Sequence, residues 1–252
     1  MTQLQVLDLA RVKVACQQCS VARLCLPAGL DATELPLLDQ SSLLRRTLHR
    51  GETLFADGDA FQAIYAVRSG CIKTVLVDAS GAEHIASFHL PGELVGLEAF
   101  REDRHLCHAV AVDTAHICAL PVSQLQALAQ RLPSLNQHLF RLLGQELAQD
   151  QEMLLWLSAK NAPERLASFL LGFSARMQRR GLSASQFILP MSRHELANHL
   201  GLTPETISRT FTQLQKDQLI RLAGKEIELL DLLQLRQLQG SECISKSHCK
   251  TA

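Results

Sequence analysis

The chain has 252 residues, of which 47 % are apolar and 20 % are charged, and its 25 basic side chains balance its 25 acidic ones. This is enough material for one large or two small domains with a core. No apolar run approaches the ~18 residues that a membrane span needs, and residues 1–15 lack the apolar region of a signal peptide. We therefore expect a cytoplasmic protein, in which eight cysteines favour metal or redox chemistry over structural disulfides.

The charge is divided unevenly along the chain. Residues 1–159 carry a net charge of −5, whereas residues 160–240 carry +4. An acidic front and a basic back predict that only the back half contacts a polyanion such as nucleic acid.

The first motif is a C-x2-C-x5-C stretch formed by Cys16, Cys19 and Cys25. Closely spaced thiolates are soft ligands that bind zinc or an iron–sulfur cluster. Both usually take four protein ligands, so a distant fourth is required. The spacing does not decide between the two metals, and residue chemistry leaves five candidates for the fourth ligand: Cys71, Cys107, Cys118, Cys243 and Cys249.

Residues 45–120 alternate short apolar runs with Gly and Asp turns, as in Ala63–Val67 and Cys71–Val77 separated by Arg68-Ser69-Gly70. Short strands at regular spacing predict an antiparallel barrel or jelly roll.

A long helix is predicted after Pro133, because residues 134–159 contain no proline. Its apolar side chains follow a heptad seam, which is the pattern of a contact between two helices. The seam comprises Leu143, Leu147, Asp150, Leu154 and Leu157. In a symmetric dimer Asp150 would approach its own copy, so we expect it to weaken the dimer and act as part of a switch.

The basic end of the chain predicts a winged helix-turn-helix. Ser192 and Glu195 form a capping box, Gly201 ends the first helix, and Thr203-Pro204 starts the second. A predicted hairpin follows in residues 219–230. The exposed start of the second helix offers groups that can contact base edges, and these are Glu205, Thr206, Ser208 and Arg209.

The predicted fold is therefore α+β: an N-terminal antiparallel β-roll (jelly roll) sensor domain, a long dimerisation helix and a C-terminal winged helix-turn-helix. The predicted parts are a cysteine loop (1–30), the β-roll (31–130), the dimerisation helix (131–159), the DNA-binding domain (160–240) and a tail (241–252).

These features resemble the FNR regulators, oxygen-responsive members of the cyclic-AMP receptor protein superfamily. The resemblance covers residues 14–235. It depends on the cysteine loop, on Arg68-Ser69-Gly70, on residues 87–96 and on the stretch Glu205-Thr206-Ile207-Ser208-Arg209.

The resemblance implies a [4Fe–4S] cluster held by Cys16, Cys19, Cys25 and Cys118, the last within Ile117-Cys118-Ala119-Leu120-Pro121. It also implies that the cluster assembles without oxygen, favours a homodimer and is degraded by oxygen. The implied partners are RNA polymerase and double-stranded DNA with palindromic TTGAT-type half-sites, which Glu205, Ser208 and Arg209 would read.

Cyclic-AMP binders of this superfamily grip the phosphate with an Arg-Ser or Arg-Thr pair, and the corresponding pair here is Cys107-His108. An uncharged thiol cannot replace a forked guanidinium, so we expect no cyclic nucleotide to bind.

The sequence thus predicts an oxygen-sensing transcription regulator and not an enzyme. The alternative is a zinc-stapled or thiol-redox DNA-binding regulator without a cluster.

Overall fold

The computed structural model describes residues 16–40 and 44–240. The predicted tail, with Cys243 and Cys249, lies outside this part of the chain. The chain separates into two units, the first ending at Gln149 and the second beginning at Asp150.

The first unit contains two four-stranded antiparallel sheets. One has the strand order β1-β8-β3-β6 and the other β2-β7-β4-β5. The strands are β1 (Leu44–Leu48), β2 (Thr53–Phe55), β3 (Ala63–Ser69), β4 (Ile72–Val77), β5 (Glu83–His89), β6 (Leu94–Val95), β7 (His108–Ala111) and β8 (Ala115–Pro121).

The turn between β3 and β4 explains why glycine follows Arg68-Ser69. Gly70 has φ +79°, and a Cβ added there would lie 2.5 Å from the Thr114 carbonyl oxygen. A larger residue would therefore be strained in backbone conformation and would also collide with the loop before β8.

Helices pack against the first of these sheets: α1 (Leu35–Gln40), α2 (Val122–Arg131) and the start of α3 (Pro133–Ala159). Leu135 and Leu139 of α3 are buried against Leu125 of α2 and against Ile64 and Leu120 of the strands. Burial of such side chains typically contributes about 1.5–3 kcal/mol each. The first half of α3 is therefore fixed to the β-roll by its apolar face.

The second unit holds the end of α3 and a compact domain of helices with one small sheet of order β10-β11-β9. Its further elements are α4 (Ala162–Arg179), β9 (Gln186–Ile188), α5 (Arg193–His199), α6 (Pro204–Lys216), β10 (Ile220–Ala223), β11 (Glu226–Leu229) and α7 (Leu232–Leu238).

Side-chain caps set the helix starts in this unit. Ser192 forms the predicted capping box with Glu195, and Thr203 accepts from the Thr206 amide ahead of Pro204. Each cap satisfies backbone N–H groups that have no intrahelical partner. Together, the elements of the two units confirm the predicted fold class, with a β-roll, a long helix and a winged helix-turn-helix.

The boundary between the units falls inside α3, whereas the sequence predicted five parts, so that finer division stays a prediction. None of the helices in residues 16–40 and 44–240 has the length and apolar character needed to cross a membrane.

Candidate functional site

Four cysteines line one pocket of the first unit. Cys16, Cys19 and Cys25 come from the N-terminal loop, and Cys118 comes from β8. The rest of the lining is almost entirely apolar: Val21, Ala22, Leu26, Pro27, Leu38, Ile64, Ala66, Val67, Arg68 and Leu120. The structure therefore brings together the four cysteines that the sequence resemblance grouped, although about 90 residues separate Cys118 from the others.

The loop is a succession of single helical turns. The 3₁₀ helices Cys16–Gln18, Ala22–Leu24 and Leu26–Gly29 follow one another, and Cys25 joins the last two. Leu26 and Pro27 are buried, which anchors the loop on the β-roll next to its cysteines. Tight turns of this kind let thiols that are close in sequence face the same pocket.

The Cys25 backbone is attached to α3. Its carbonyl accepts a hydrogen bond from Nε2 of His138 at 3.2 Å. A carbonyl can only accept, so Nε2 carries the hydrogen. The same helix passes close to Gly29, where an added Cβ would lie 2.3 Å from the His138 Cβ.

Burial raises the pKa of the Cys25 thiol to about 12, opposed by the Leu26 amide and assisted by the neighbouring Cys118 and Cys19. Burial also raises the pKa of Cys118, again assisted by Cys19, while Arg68 and Arg45 act in the opposite direction. These thiols are therefore neutral until a metal displaces their protons, as thiolate ligation requires.

The donor set fits an iron–sulfur cluster. Such clusters are held by four cysteine thiolates, and apolar surroundings limit access of water. Arg45 Nε, next to Cys118, is buried without a hydrogen-bond partner among the described residues and could donate to a sulfur there. Within the described ranges, no group of three or more His, Cys, Asp or Glu side chains is arranged to hold a single metal ion.

Two further cysteines lie away from this pocket. Cys71 is 1 % exposed, and Cys107 is 6 % exposed in the second apolar core of the β-roll. Cys107 Sγ lies 3.7 Å from Glu98 Oε1, and burial followed by the Glu98 charge raises its pKa. Neither thiol lines the pocket.

The apolar core next to Cys107 contains a buried histidine. His105 is 1 % exposed and stacks on Phe55 with ring centroids 3.5 Å apart. Its Nδ1 is 3.0 Å from Glu98 Oε1. The sequence analysis noted the Cys107-His108 pair but missed His105, because nothing in the local pattern shows that this side chain is buried.

The predicted seam forms an apolar stripe along α3. Leu147 and Leu154 are 60 % and 67 % exposed, and Leu157 is also exposed, whereas Leu143 packs partly against the core. Phe140, seven residues before Leu147, is 67 % exposed and extends the stripe by one heptad. The sequence analysis missed it because the seam was counted from Leu143.

Asp150 lies in this stripe and is exposed in the single chain. Partial loss of water around its carboxylate nevertheless raises the pKa of this group. Its environment therefore already disfavours the charged form before any second helix approaches.

The candidate base-reading side chains lie on one face at the start of α6. Glu205, Ser208 and Arg209 are exposed, and Thr206 is half-buried and within 3.0 Å of the Thr203 hydroxyl. The Ser208 hydroxyl donates to the Pro204 carbonyl at 2.8 Å, which leaves its oxygen free to accept. The backbone amide of Glu205 itself, followed by the Thr203 hydroxyl, lowers the pKa of Glu205, so this side chain is an ionised acceptor.

The opposite face of α6 is buried, with Ile207, Phe211 and Leu214 in the core. Arg193 of α5 stacks its guanidinium 3.4 Å from the Phe211 ring centroid. The two helices are thus fixed to one another, and the turns that could enter a DNA groove stay exposed.

A β-roll with a long helix and a winged helix-turn-helix defines a transcription regulator of the cyclic-AMP receptor protein type. Two family models match accordingly: the cyclic nucleotide-binding domain over residues 45–132 and the Crp-like helix-turn-helix domain over residues 164–238.

Relatives that match about nine-tenths of the chain identify the branch of this superfamily. The chain is 47 % identical to the transcriptional activator protein Anr of Pseudomonas protegens, over 89 % of this chain and 92 % of the relative. It is 42 % identical to the fumarate and nitrate reduction regulatory protein of Vibrio cholerae, over 92 % and 93 %. Among solved structures it resembles FixK2 from Bradyrhizobium japonicum, with a TM-score of 0.72 and 28 % identity over 79 % of this chain and 98 % of that one. The chain belongs to the FNR-type branch of the cyclic-AMP receptor protein superfamily.

Proposed function

We propose that this protein is an oxygen-sensing transcription regulator whose DNA binding depends on a [4Fe–4S] cluster. The observation that carries the proposal is the convergence of Cys16, Cys19, Cys25 and Cys118 on one apolar pocket. The similarity to proteins named as anaerobic regulators supports it.

The four cysteines, the two nearby arginines and the apolar lining would each have a separate part in this function. The four thiols would hold the cluster, which when bound supplies an iron centre that oxygen can destroy. Arg45 and Arg68 lie near Cys118 and would offset the negative charge of four thiolates. The apolar lining keeps bulk water away from the ligands.

The loop would report the state of the pocket to α3. His138 holds the Cys25 carbonyl, and the Ser134 hydroxyl donates to Glu34 at 2.6 Å, so two residues of α3 are bonded to the loop and to the segment that follows it. A change in the position of the loop therefore changes the forces on α3, the element that carries the exposed stripe.

The stripe on α3 is proposed to form a homodimer. Phe140, Leu147 and Leu154 expose apolar surface at seven-residue intervals, as in a two-stranded coiled coil. The dimer would place two copies of α6 on a palindrome of TTGAT-type half-sites, with Glu205, Ser208 and Arg209 at base edges and Thr206 beside them. RNA polymerase would be the further partner.

Cyclic nucleotides are not expected to regulate the protein. Cys107 offers no charge to a phosphate, and the His105–Phe55 stack with Glu98 fills the adjoining space. Glu98 would also repel a phosphate anion.

Purification without air tests the cluster directly. We expect a brown protein with iron and acid-labile sulfide in equal amounts, about four of each per chain. In air, we expect the protein to lose the iron, the sulfide and its specific DNA binding. A colourless protein that contains zinc, or one that binds DNA equally well with and without oxygen, would instead support the zinc-stapled or thiol-redox alternative.

A further inference from the structure

Arg165, in the first turn of α4, binds the ends of two other helices. Its Nε donates to the Lys160 carbonyl at 2.8 Å and its Nη2 to the Leu157 carbonyl at 2.9 Å. Its Nη1 donates to the Leu200 carbonyl at 2.9 Å and more weakly to Gly201 at 3.4 Å. One guanidinium thus joins the end of α3 to the turn of the helix-turn-helix.

The acceptors are the carbonyls that a helix leaves unpaired. Leu157 and Lys160 mark the end of α3, and Leu200 caps α5. The last carbonyls of a helix have no intrahelical partner and carry the negative end of its dipole. A planar, permanently charged fork reaches both ends at once from three separate nitrogens, whereas lysine presents all its donors from one nitrogen.

The two helix ends also touch directly. Gly201 has φ +62°, and an added Cβ would lie 3.0 Å from Leu157 Cδ2 and 3.4 Å from Arg165 Nη1. Nearby, Lys160 Nζ donates to the buried Ser168 hydroxyl of α4 at 2.7 Å. The turn before α6 is therefore held tightly against the last turns of α3.

Leu157 belongs to the exposed stripe on α3, as does Leu154, and both lie in the same unit as α6. The contact of Arg165 with the Leu157 carbonyl thus links a residue of the stripe to the base-reading domain within one compact unit. The position of α6 relative to Leu154 and Leu157, the part of the stripe in this unit, follows from this link.

We propose that Arg165 fixes the distance and angle between the second-unit end of the dimer stripe, at Leu154 and Leu157, and the reading helix α6, and thereby sets the spacing of the two half-sites that the dimer accepts. This inference rests on the proposed function, since it requires a dimer on a palindrome. Arg165 is a positioning residue and need not touch DNA.

On this proposal, the affinity of the dimer depends on the number of base pairs between the two half-sites. Each added base pair moves one half-site by about 3.4 Å along the axis and turns it by about 35°. If α6 is held rigidly relative to Leu154 and Leu157, the dimer loses affinity when the half-site spacing changes. If the connection is loosened, the two copies of α6 can still reach both half-sites. Contacts of a single α6 with a single half-site are the same in both cases.

The test compares full-length wild type with Arg165→Lys in the absence of oxygen. The DNA probes are palindromes whose half-site centres lie about one helical turn apart, and palindromes with one base pair fewer or with one or two base pairs more between the half-sites. We expect wild type to prefer one spacing by at least about tenfold, and Arg165→Lys to bind all spacings within about threefold. Affinity for a single half-site should change by less than about threefold. Arg179→Lys, at an exposed position of the same helix, is the matched control and should keep the wild-type preference.

Gly201→Ala disturbs the same contact from the other side and should also flatten the spacing preference. Retention of the tenfold preference by Arg165→Lys would overturn the inference. An equal loss of affinity for single half-sites and for palindromes of every spacing would overturn it too. Arg165 would then maintain the fold of the winged helix-turn-helix and not its position. A wild type without any spacing preference would instead refute the palindrome-binding dimer itself.

Discussion

Arg45 lies directly opposite Cys118 in the antiparallel pair of β1 and β8. The same cysteine faces Ala66 of β3 on its other side, and Arg68 lies two residues further along that strand. Both guanidinium groups lower the pKa of the Cys118 thiol against the effect of burial. The one cluster ligand proposed from the β-roll is therefore the one that lies between two cations.

Replacing Arg45 by Gln should weaken the cluster site without removing a ligand. Loss of an outer-shell partner typically costs about 10–100-fold in metal affinity, because the negative charge of the thiolates is no longer offset. The rate of iron loss to a chelator in the absence of oxygen measures this, with Arg131→Gln on the exposed side of α2 as the control. Equal rates for Arg45→Gln and wild type would exclude Arg45 from the site.

Serine at Cys16, Cys19, Cys25 or Cys118 should abolish cluster retention, since a hydroxyl is a harder and poorer ligand for iron than a thiolate. Cys107→Ser is the matched control, because Cys107 is buried outside the pocket. Iron and acid-labile sulfide are measured after purification without air. A full cluster content in Cys118→Ser, with loss in Cys107→Ser, would disprove the assignment.

Arg209→Ala should weaken specific DNA binding by about 1–3 kcal/mol and relax the preference at one base pair in each half-site. The reason is that a forked guanidinium can bond both acceptors of guanine. Binding to a set of single-base variants measures this, and Lys216→Ala, at the other end of α6, is the charge control. A uniform loss on all sequences with an altered salt dependence would mark a phosphate contact.

Asp150→Ala should dimerise and bind DNA in air, without a cluster. Two facing carboxylates in the stripe repel and lose water, and alanine removes both costs. Sedimentation of the cluster-free protein measures this, with Glu152→Ala on the same helix as the control. A monomer at concentrations where cluster-loaded wild type is dimeric would contradict the role of Asp150.

The same residue predicts a pH dependence of the dimer. The pKa of Asp150 is raised by loss of water in the single chain, and a second carboxylate would raise it further. Its protonated form therefore favours association, so the wild-type dimer should tighten as pH falls through this raised pKa and loosen as pH rises through it. Asp150→Ala should lose this dependence.

The sequence was sufficient where local chemistry determines structure. The caps at Ser192 and Thr203 and the positive-φ glycine at 201 located the helix-turn-helix within one residue of the observed bounds. The absence of proline from residues 134–159 likewise predicted the long helix α3.

Local sequence patterns did not predict the contacts between residues that are distant in the sequence. Residue chemistry left five candidates for the fourth cysteine, and a family resemblance was needed to select Cys118, because strand pairing across the β-roll leaves no local signal. Arg165 was missed because its acceptors are backbone carbonyls, which every residue has. Burial of His105 next to Phe55 depends on the packing of two distant segments.

The anchoring of the cysteine loop by Leu26 and Pro27 has a consequence for the life of the sensor. Leu26 shares a core with Leu38 and Leu120, and Pro27 is buried beside it. On the proposed function, a loop attached in this way would stay near its pocket after the iron is lost. On the proposed function, a molecule inactivated by air could thus be recharged with iron and sulfide when oxygen disappears, and the cell could restore its anaerobic response from existing copies without new protein synthesis.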